Sequence, residues 1–416
     1  MTVRVGIVGG GFVAGFHLRA LEAVRGVEVA GLFSRTAPTR LAEIVQAMNL
    51  GAGVIYETVR DLAANVDVVA LFAPNFTRIP VMEELARAVA DGAQIRALVC
   101  EKPLARNLAE SRRLLAMAEQ MGVVTAYFEN QIHLPTLQAA RAQLGAVAER
   151  MGPLVLARAA EEHSGPHNSW FWDPVQQGGG VLSDMGCHSI AVGWHLLTPP
   201  GKKNDFLRPV RVQCEVALLK WGQLQWRQTL ADRFGVDYAK TPAEDFATGT
   251  ITFHDPEKDS YSLAQFTVSW MYDKQGLRLL IDGLGPGYAV EVNTLRSPLE
   301  IFIGGEAAAE VADAELALEK STASQGLLAI HPNEPDLYGY VEEWQDLLRA
   351  LDSGRSPLLD WSYGLEIVRL TMAAYLAAEE GRVVDLTDPG TLDRLESYIP
   401  LIQQGRGKET LQMSIS

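Results

Sequence analysis

Three residues have side chains of the types that move protons and stabilise charge on oxygen: Lys102, Asp184 and His188. Lys102 follows the apolar run at residues 97–100, where a buried strand is expected to end. Asp184 and His188 are four apart in a helix-like segment, which puts them on one face with about 6 Å between their Cβ atoms. An imidazole can accept and return a proton near neutral pH, and an ammonium group stabilises an alkoxide or polarises a carbonyl. The set therefore predicts chemistry at a carbon–oxygen bond.

Each of these residues also has a simpler interpretation. Asp184 could hydrogen-bond a substrate or stabilise His188 as the imidazolium, but an isolated Asp/His pair could equally be a solvated helix face. Lys102 could be an exposed lysine before a turn-forming proline. The glycine loop at 178–180 directly precedes the pair, and this context favours the catalytic interpretation.

A glycine turn near the N-terminus predicts a dinucleotide site. Residues 9–14 match G-x-G-x-x-A, follow a short apolar strand and open a helix-like segment. Gly9 permits the tight turn, Gly11 lets the backbone approach a pyrophosphate, and Ala14 allows close helix packing. The helix N-terminus at Phe12 and Val13 then offers free N–H groups to phosphates. The alternative is a tight turn in an α/β domain without a cofactor.

The end of the second predicted strand bears on which dinucleotide would bind. A cofactor without a 2′-phosphate usually meets an acidic residue about 20 residues after the turn, and none stands here. Ser34 and Arg35 could instead hold a 2′-phosphate, which favours NADP over NAD. The alternative is that Arg35 stacks on adenine or faces solvent.

The elements that must position these residues fall into two groups. Up to residue 130, apolar strands alternate with helices, a pattern typical of parallel sheets covered on both faces. The predicted strands are 3–8, 27–33, 66–73, 97–100 and 123–128, and the predicted helices are 14–24, 37–48, 79–90 and 107–121. Strands 154–161, 209–219, 223–231, 246–254, 261–270 and 276–282 then follow, interrupted by a helix at 181–197 and followed by helices at 336–352 and 361–380. We predict a Rossmann-type dinucleotide-binding domain (1–130) and an α+β domain (131–416) with a large, mostly antiparallel open sheet.

Two motifs give the sequence a family resemblance. Glu101-Lys102-Pro103 and the G-G-G-x-L-x-D-x-G-x-H run at 178–188, together with the glycine turn and His17, resemble the Gfo/Idh/MocA oxidoreductases. The resemblance implies a cis Lys102–Pro103 peptide, His188 as general base with Asp184 beside it, and Lys102 beside the nicotinamide. Besides the turn and Lys102, the expected cofactor contacts include Pro74, Asn75 and Glu101. Arg78 stands where the family often carries His, so it receives no family role.

The segment between residues 161 and 173 is the candidate substrate loop. Its aromatic faces suit sugar C–H groups, and its His, Asn and Asp side chains suit hydroxyls; the alternative is that the aromatics fill a core or an interface. With Lys102, Asp184 and His188, the expected substrate contacts are Asn130, His163, His167, Trp170 and Trp172. His133, Tyr127, Asp273 and Lys274 are weaker candidates, and His195 is expected to be a packed structural residue. No metal site is expected, because no His/Cys/Asp cluster has ligand spacing.

Composition excludes several partner classes. The 416 residues include 36 basic and 51 acidic ones, a formal charge of −15 that argues against non-specific binding to nucleic acids or anionic membranes. Three cysteines without C-x-x-C spacing are typical of a reducing compartment. No signal peptide is evident, and the apolar run at 68–73 is far below the roughly 18 residues of a membrane span. We therefore expect a cytoplasmic protein, and the resemblance suggests a homo-oligomer, a dimer or a tetramer.

Three functional hypotheses follow. The first is NAD(P)-dependent hydride transfer between the nicotinamide and a secondary alcohol or ketone of a sugar, sugar derivative or cyclitol. The second is redox-neutral glycoside cleavage with tightly held NAD, as in some relatives of the family. The third is a cofactor-sensing protein without catalysis, against which the intact Lys102, Asp184 and His188 argue.

Overall fold

A parallel sheet occupies the first part of the fold. The structure, a computed structural model, describes residues 2–273, 276–294, 300–303, 326–329 and 337–411. The sheet has six strands: β1 (Val3–Val8), β2 (Val27–Phe33), β3 (Val54–Ile55), β4 (Val68–Leu71), β5 (Ala97–Glu101) and β6 (Val124–Phe128). They lie in the order β3–β2–β1–β4–β5–β6, and each neighbouring pair is parallel. This is the doubly wound order, in which ligands bind beyond the carboxyl ends where the order reverses, between β1 and β4.

Helices cover both faces of this sheet and explain why its strands are continuous apolar runs. Strands β4 and β5 are buried along their whole length, and β1 is buried except at Arg4. The covering helices are α1 (Phe12–Glu22), α2 (Thr39–Ala47), α3 (Val59–Ala63), α4 (Arg78–Ala90) and α5 (Leu108–Met121). Because both faces of such a strand are buried, its side chains are apolar throughout and do not alternate between apolar and polar residues. The predicted Rossmann-type parallel sheet is confirmed.

The second sheet is mixed and mostly antiparallel. Its strands are β7 (Leu156–Glu162), β8 (Arg208–Ala217), β9 (Phe246–Asp255), β10 (Ser260–Ser269), β11 (Arg278–Gly285), β12 (Tyr288–Asn293) and β15 (Val384–Asp385). Strands β13 (Glu300–Ile303) and β14 (Gly326–Ala329) form a separate two-stranded antiparallel sheet. The order is β12–β11–β7–β10–β9–β8–β15, and the pair of β7 and β10 is parallel while the others are antiparallel. The predicted open sheet is confirmed.

The second part of the chain contains eight helices within the described ranges. The helices are α6 (Pro135–Met151), α7 (Ser169–Trp172), α8 (Pro174–Gln177), α9 (Cys187–Leu197), α10 (Leu224–Phe234), α11 (Tyr340–Ser353), α12 (Trp361–Glu380) and α13 (Pro389–Ser397). Three of them, α6, α9 and α12, contact the second sheet. A π-helical turn, Leu182–Gly186, leads directly into α9, which lies against β7 and β10 and is buried throughout. The helix predicted at 181–197 is thus present, with a wider first turn.

The C-terminal helices return to the first sheet. Helix α11 packs on α1, and its residues Val341, Trp344 and Leu347 belong to the hydrophobic cluster around β1. Helix α12 lies against α5, α9 and β8, so it joins the two parts. The boundary at residue 130 stays a prediction.

One predicted element is wrong. Residues 223–231 alternate apolar and polar side chains and were expected to form a strand, but 224–234 form helix α10. Leu224 is 68% exposed and Leu230 is fully buried, so the alternation does not mark a buried sheet face. The Gly235 residue in the left-handed conformation ends the helix. Among the described helices, none is long and apolar enough to cross a bilayer.

Candidate active site

The glycine turn forms one wall of a large cleft. Gly9 has a φ of +130°, and a Cβ there would lie 2.6 Å from the carbonyl carbon of Phe72, so only glycine fits. Gly11 is the N-cap of α1, supplies no capping side chain, and has open space where a Cβ would be. The N–H groups of the first turn of α1 are therefore available to an anion. This geometry fits the pyrophosphate of a dinucleotide.

The cleft lies at the carboxyl ends of the parallel strands and has a volume of about 1930 Å³. That exceeds the roughly 300–1,000 Å³ of a site for a single small ligand, so a dinucleotide and a second molecule fit together. All residues predicted to contact the cofactor line it: Gly9, Gly11, Phe12, Val13, Ser34, Arg35, Pro74, Asn75, Glu101 and Lys102. Of those predicted to contact substrate, all but Trp172 line it: Lys102, Asn130, His163, His167, Trp170, Asp184 and His188.

The lysine of the E-K-P motif spans the two parts of the chain. Its ammonium Nζ donates to the Asp184 carboxylate at 3.2 Å and to the Asp184 carbonyl oxygen at 2.9 Å. Burial lowers the pKa of Lys102, but the Asp184 carboxylate and other acidic neighbours outweigh burial and raise that pKa. Lys102 is therefore a fixed cation, and its peptide bond to Pro103 is cis, as the resemblance implies.

The imidazole of the second motif has a carboxylate partner that the sequence analysis missed. His188 Nδ1 contacts the carboxylate of Glu129, which is fully buried at the end of β6. Burial lowers the pKa of His188, but Glu129 outweighs it and the pKa is raised. The interpretation that Asp184 stabilises His188 is corrected here: Asp184 holds Lys102, and Glu129 holds His188. No motif spacing could have identified Glu129.

A second buried carboxylate lies beside them, at the start of the predicted 161–173 substrate segment. Glu161, on β7, was given no role of its own there; it lines the cleft and is 5% exposed, and its Oε2 accepts a hydrogen bond from Gln131 Nε2 at 2.8 Å. Burial raises the pKa of Glu161, while the charges of His188 and Lys102 act to lower it. The cleft thus combines a cation, an imidazole and a buried acidic group within electrostatic range of one another.

A buried glutamate holds the glycine loop that precedes Asp184. The Gly180 N–H donates to both carboxylate oxygens of Glu244, at 3.0 and 3.1 Å, and the Leu182 N–H donates at 3.0 Å. The Tyr375 hydroxyl also donates to Glu244, at 2.6 Å. A Cβ at Gly180 would lie 2.2 Å from the Glu244 carbonyl oxygen, which explains the glycine. Burial raises the pKa of Glu244 to about 7.

Glu101 connects Lys102 to helix α1 and to the C-terminal helix α11. Its carboxylate accepts the Lys102 N–H at 2.9 Å and contacts His17 Nε2 at 2.9 Å, while Trp344 Nε1 donates to His17 Nδ1. Since Nδ1 accepts, Nε2 carries the proton. Burial lowers the pKa of His17. The neighbouring Glu343 completes a trio that could geometrically hold a metal, but both nitrogens of this ring are already hydrogen-bonded.

Two other residues of the first part brace the cleft. The Asn75 amide donates to the carbonyl and to the side-chain oxygen of Gln177, each at 2.9 Å, and so ties the cofactor wall to the glycine loop. Arg78 is buried, and its guanidinium donates to the carbonyl oxygens of Lys102 and Pro103. Arg78 therefore holds the backbone of the E-K-P segment, and it also lines the cleft.

The aromatic loop is divided between the cleft and the core. Trp170 lines the cleft and stacks on Phe171, with ring centroids 3.8 Å apart. Trp172 is 1% exposed, packs against Trp221 and Trp270, and donates Nε1 to the Pro166 carbonyl. Its predicted contact with substrate is wrong, because the segment from 169 to 172 is helical and turns this ring inward.

Histidines in and near the loop differ in environment. His163 accepts the Gly165 N–H at 2.9 Å, and burial lowers the pKa of His163 to about 4, so the ring is neutral at physiological pH. His167 is exposed, with its ring centroid 6.1 Å from that of Phe12 across the cleft. His195 is buried and contacts Asn204, as expected of a structural residue.

The weaker substrate candidates have mixed outcomes. Asp273 lines the cleft and contacts Lys220. Asn130, one of the main expected substrate contacts, lines the cleft, and its amide donates to the Tyr338 carbonyl at 2.8 Å. His133 and Tyr127 are buried away from the cleft lining. Lys274 lies outside the described residues.

Known proteins resemble both parts of the chain. Residues 3–129 match the family model "Oxidoreductase family, NAD-binding Rossmann fold", and residues 141–284 match the "GFO/IDH/MocA C-terminal domain". The solved structure of GenD2 from gentamicin A biosynthesis, in complex with NAD, covers 92% of this chain and 96% of its own, with a TM-score of 0.71 and 22% identity. At that identity, the likeness establishes the fold.

Curated relatives match part of the chain. The 1,5-anhydro-D-fructose reductase of Ensifer adhaerens is 29% identical over 188 residues, 44% of this chain and 54% of that protein. The D-glucoside 3-dehydrogenase of Escherichia coli K12 is 29% identical over 195 residues, 46% of this chain and 50% of that protein. The matched segments thus span about half the length of these relatives.

Proposed function

The chain belongs to the Gfo/Idh/MocA oxidoreductase family, and from this premise we propose that it transfers a hydride between a nicotinamide dinucleotide and a secondary alcohol or ketone of a sugar, sugar derivative or cyclitol. One observation carries the proposal. Lys102, Asp184 and His188 line the same cleft as the glycine turn, and they come from opposite parts of the chain. The named activities of the two curated relatives support the substrate class.

The dinucleotide would be held by the first part of the chain. The N–H groups of α1 beside Gly11 would bind the pyrophosphate, and Ser34 and Arg35 would lie near the adenosine ribose. Arg35 is exposed in the cleft and no acidic residue follows β2, which supports NADP over NAD. When bound, the nicotinamide supplies the hydride-accepting carbon.

His188 would move the proton of the reacting hydroxyl. A neutral imidazole that keeps its proton on Nδ1 toward Glu129 presents the Nε2 lone pair as an acceptor. Accepting the hydroxyl proton creates an imidazolium, which the buried Glu129 carboxylate stabilises. In the reduction direction, the same ring returns the proton to the carbonyl oxygen.

Lys102 would stabilise negative charge on the same oxygen. Its ammonium is held by Asp184 at 3.2 Å and stays charged over the physiological range, because its pKa is raised. A fixed cation in a partly desolvated cleft stabilises a developing alkoxide more strongly than water does. Asp184 thereby acts as a positioning residue for Lys102. It also lines the cleft, where its carboxylate could accept a hydrogen bond from a substrate hydroxyl.

The first experiment is a substrate screen. The purified protein is incubated with NAD or NADP and a panel of polyols, aldoses, glycosides and inositols, and reduced cofactor is followed at 340 nm. We expect stoichiometric cofactor reduction with at least one of them. A glycoside cleaved without net reduction would support the redox-neutral alternative instead. Dinucleotide binding without turnover of any substrate, in either direction, would support the sensor alternative.

A further inference from the structure

The two ends of the cleft differ in charge. The end beside the glycine turn is lined by Arg19, Arg35 and Arg40, which suits the phosphates of a dinucleotide. The end formed by the second part of the chain is lined by the carboxylates Glu161, Asp184 and Asp273. Lys102 also lines the cleft, and its ammonium is paired with the Asp184 carboxylate.

Most carboxylates in this region have a cationic or imidazole partner. Asp184 contacts Lys102, Asp273 contacts Lys220, and Glu129 contacts His188. Glu161 is different. Across the ranges that the structure describes, its side chain has one hydrogen bond, from the neutral Gln131 amide to Oε2, and its Oε1 has none.

Such a carboxylate is costly to bury without a partner. Glu161 is 5% exposed, and the residue lines the cleft, where a ligand can reach it. Taking a carboxylate out of water has a large penalty unless a cation or several donors compensate. The charges of His188 and Lys102 reach Glu161 at longer range, but among the described residues its one direct hydrogen-bond donor is the neutral Gln131 amide. A cationic group of a bound substrate is therefore the natural source of a directly contacting positive charge.

We propose that Glu161 determines specificity by binding a protonated amino group of the substrate, so that the favoured substrates are amino sugars or aminocyclitols. This inference rests on the proposed function and names its substrate class. The same carboxylate disfavours phosphorylated, carboxylated or nucleotide-linked sugars, because their negative charge would approach Glu161 and Asp184.

The test uses matched substrates. Glucosamine and 3-amino-3-deoxyglucose are compared with glucose, scyllo-inosamine is compared with scyllo-inositol, and glucose 6-phosphate serves as an anionic probe. We expect kcat/KM of at least one amine to exceed that of its hydroxyl counterpart by about 10- to 100-fold, the range of a charged hydrogen bond. This preference should fall as the pH rises through the pKa of the amine, while oxidation of the hydroxyl counterpart does not fall in parallel.

The Glu161→Gln variant removes the charge and keeps an oxygen that can accept from Gln131. It should reduce the ratio of amine to hydroxyl kcat/KM to within about threefold of unity. Glu162→Gln is the matched control, since Glu162 is the next residue on β7, contacts Arg278 and does not line the cleft. It should leave the ratio unchanged. If Glu161→Gln does not fold by circular dichroism, the wild-type ratios and their pH dependence decide.

Two failures are distinguishable. If hydroxyl substrates are oxidised and no amine exceeds its counterpart, or if Glu161→Gln keeps the preference, the inference about Glu161 is overturned while the oxidoreductase proposal stands. If no member of any pair is oxidised or reduced, the proposed function fails, and the inference fails with it.

Discussion

Replacing Glu129 by Gln tests the part of the site that sequence motifs did not reveal. The amide oxygen of Gln can still accept the Nδ1 proton of His188, so the ring keeps its orientation and tautomer. What is lost is the negative charge that raises the pKa of His188 against burial and the Lys102 charge. A contacting opposite charge typically shifts a pKa by about 1–3 units. We therefore expect the pKa of His188 to fall by at least about one unit.

The sign of the effect follows from the role of the ring. His188 accepts a proton only when neutral, so log kcat/KM for alcohol oxidation declines below its pKa. In Glu129→Gln, the acid-side decline of log kcat/KM should begin about 1–2 pH units lower than in the wild type. The pH-independent value of kcat/KM should fall about three- to tenfold, because the imidazole is a weaker base. The assay is initial rate at 340 nm from pH 5 to 9, with Glu162→Gln as control. An unshifted acid limb in Glu129→Gln would refute the assignment of His188 as the base.

Three further predictions concern the cofactor and the aromatic loop. Arg35→Ala should weaken NADPH binding about tenfold and leave NADH binding nearly unchanged in fluorescence titrations; equal effects on both would remove the preference for NADP. Gly9→Ala should lower the free energy of unfolding by about 1–3 kcal/mol and abolish tight dinucleotide binding, because a Cβ collides with Phe72; unchanged denaturant midpoint and affinity would contradict the turn geometry. Trp172→Ala should lower the free energy of unfolding by about 3–5 kcal/mol. Trp170→Ala should instead raise KM and change the free energy of unfolding by less than about 1 kcal/mol. The opposite pattern would indicate that Trp172, and not Trp170, contacts the substrate.

The sequence predicts most of what lies on regular elements or in contiguous motifs. Strand, turn and helix follow one another around Gly9, so local geometry specifies that site without tertiary information. Lys102 and His188 belong to motifs whose spacing is visible along the chain, and the fold brings them into one cleft. The elements that carry them were predicted to within a few residues.

The rest depends on contacts between distant segments. Glu129 belongs to no local motif, and the charge environment of Glu161 could not be predicted from the 161–173 segment alone. Both become part of the site because β6 and β7 end near the same cleft. Trp170 and Trp172 are two residues apart and cannot be told apart by type, because a short helix decides which ring is buried. The boundary near residue 130 and the homo-oligomer stay predictions; sedimentation would test the latter.

The central claim is that the Lys102 ammonium and the His188 imidazole act on the same oxygen of the substrate. A double-mutant cycle measures this most directly, with Lys102→Met, His188→Asn and the double variant assayed at 340 nm on one substrate. We predict that each single variant lowers kcat by about 10² or more and that the double variant loses less than about tenfold beyond the worse single one. Single variants within tenfold of wild type, or a double loss equal to the product of the two, would contradict convergence on one oxygen.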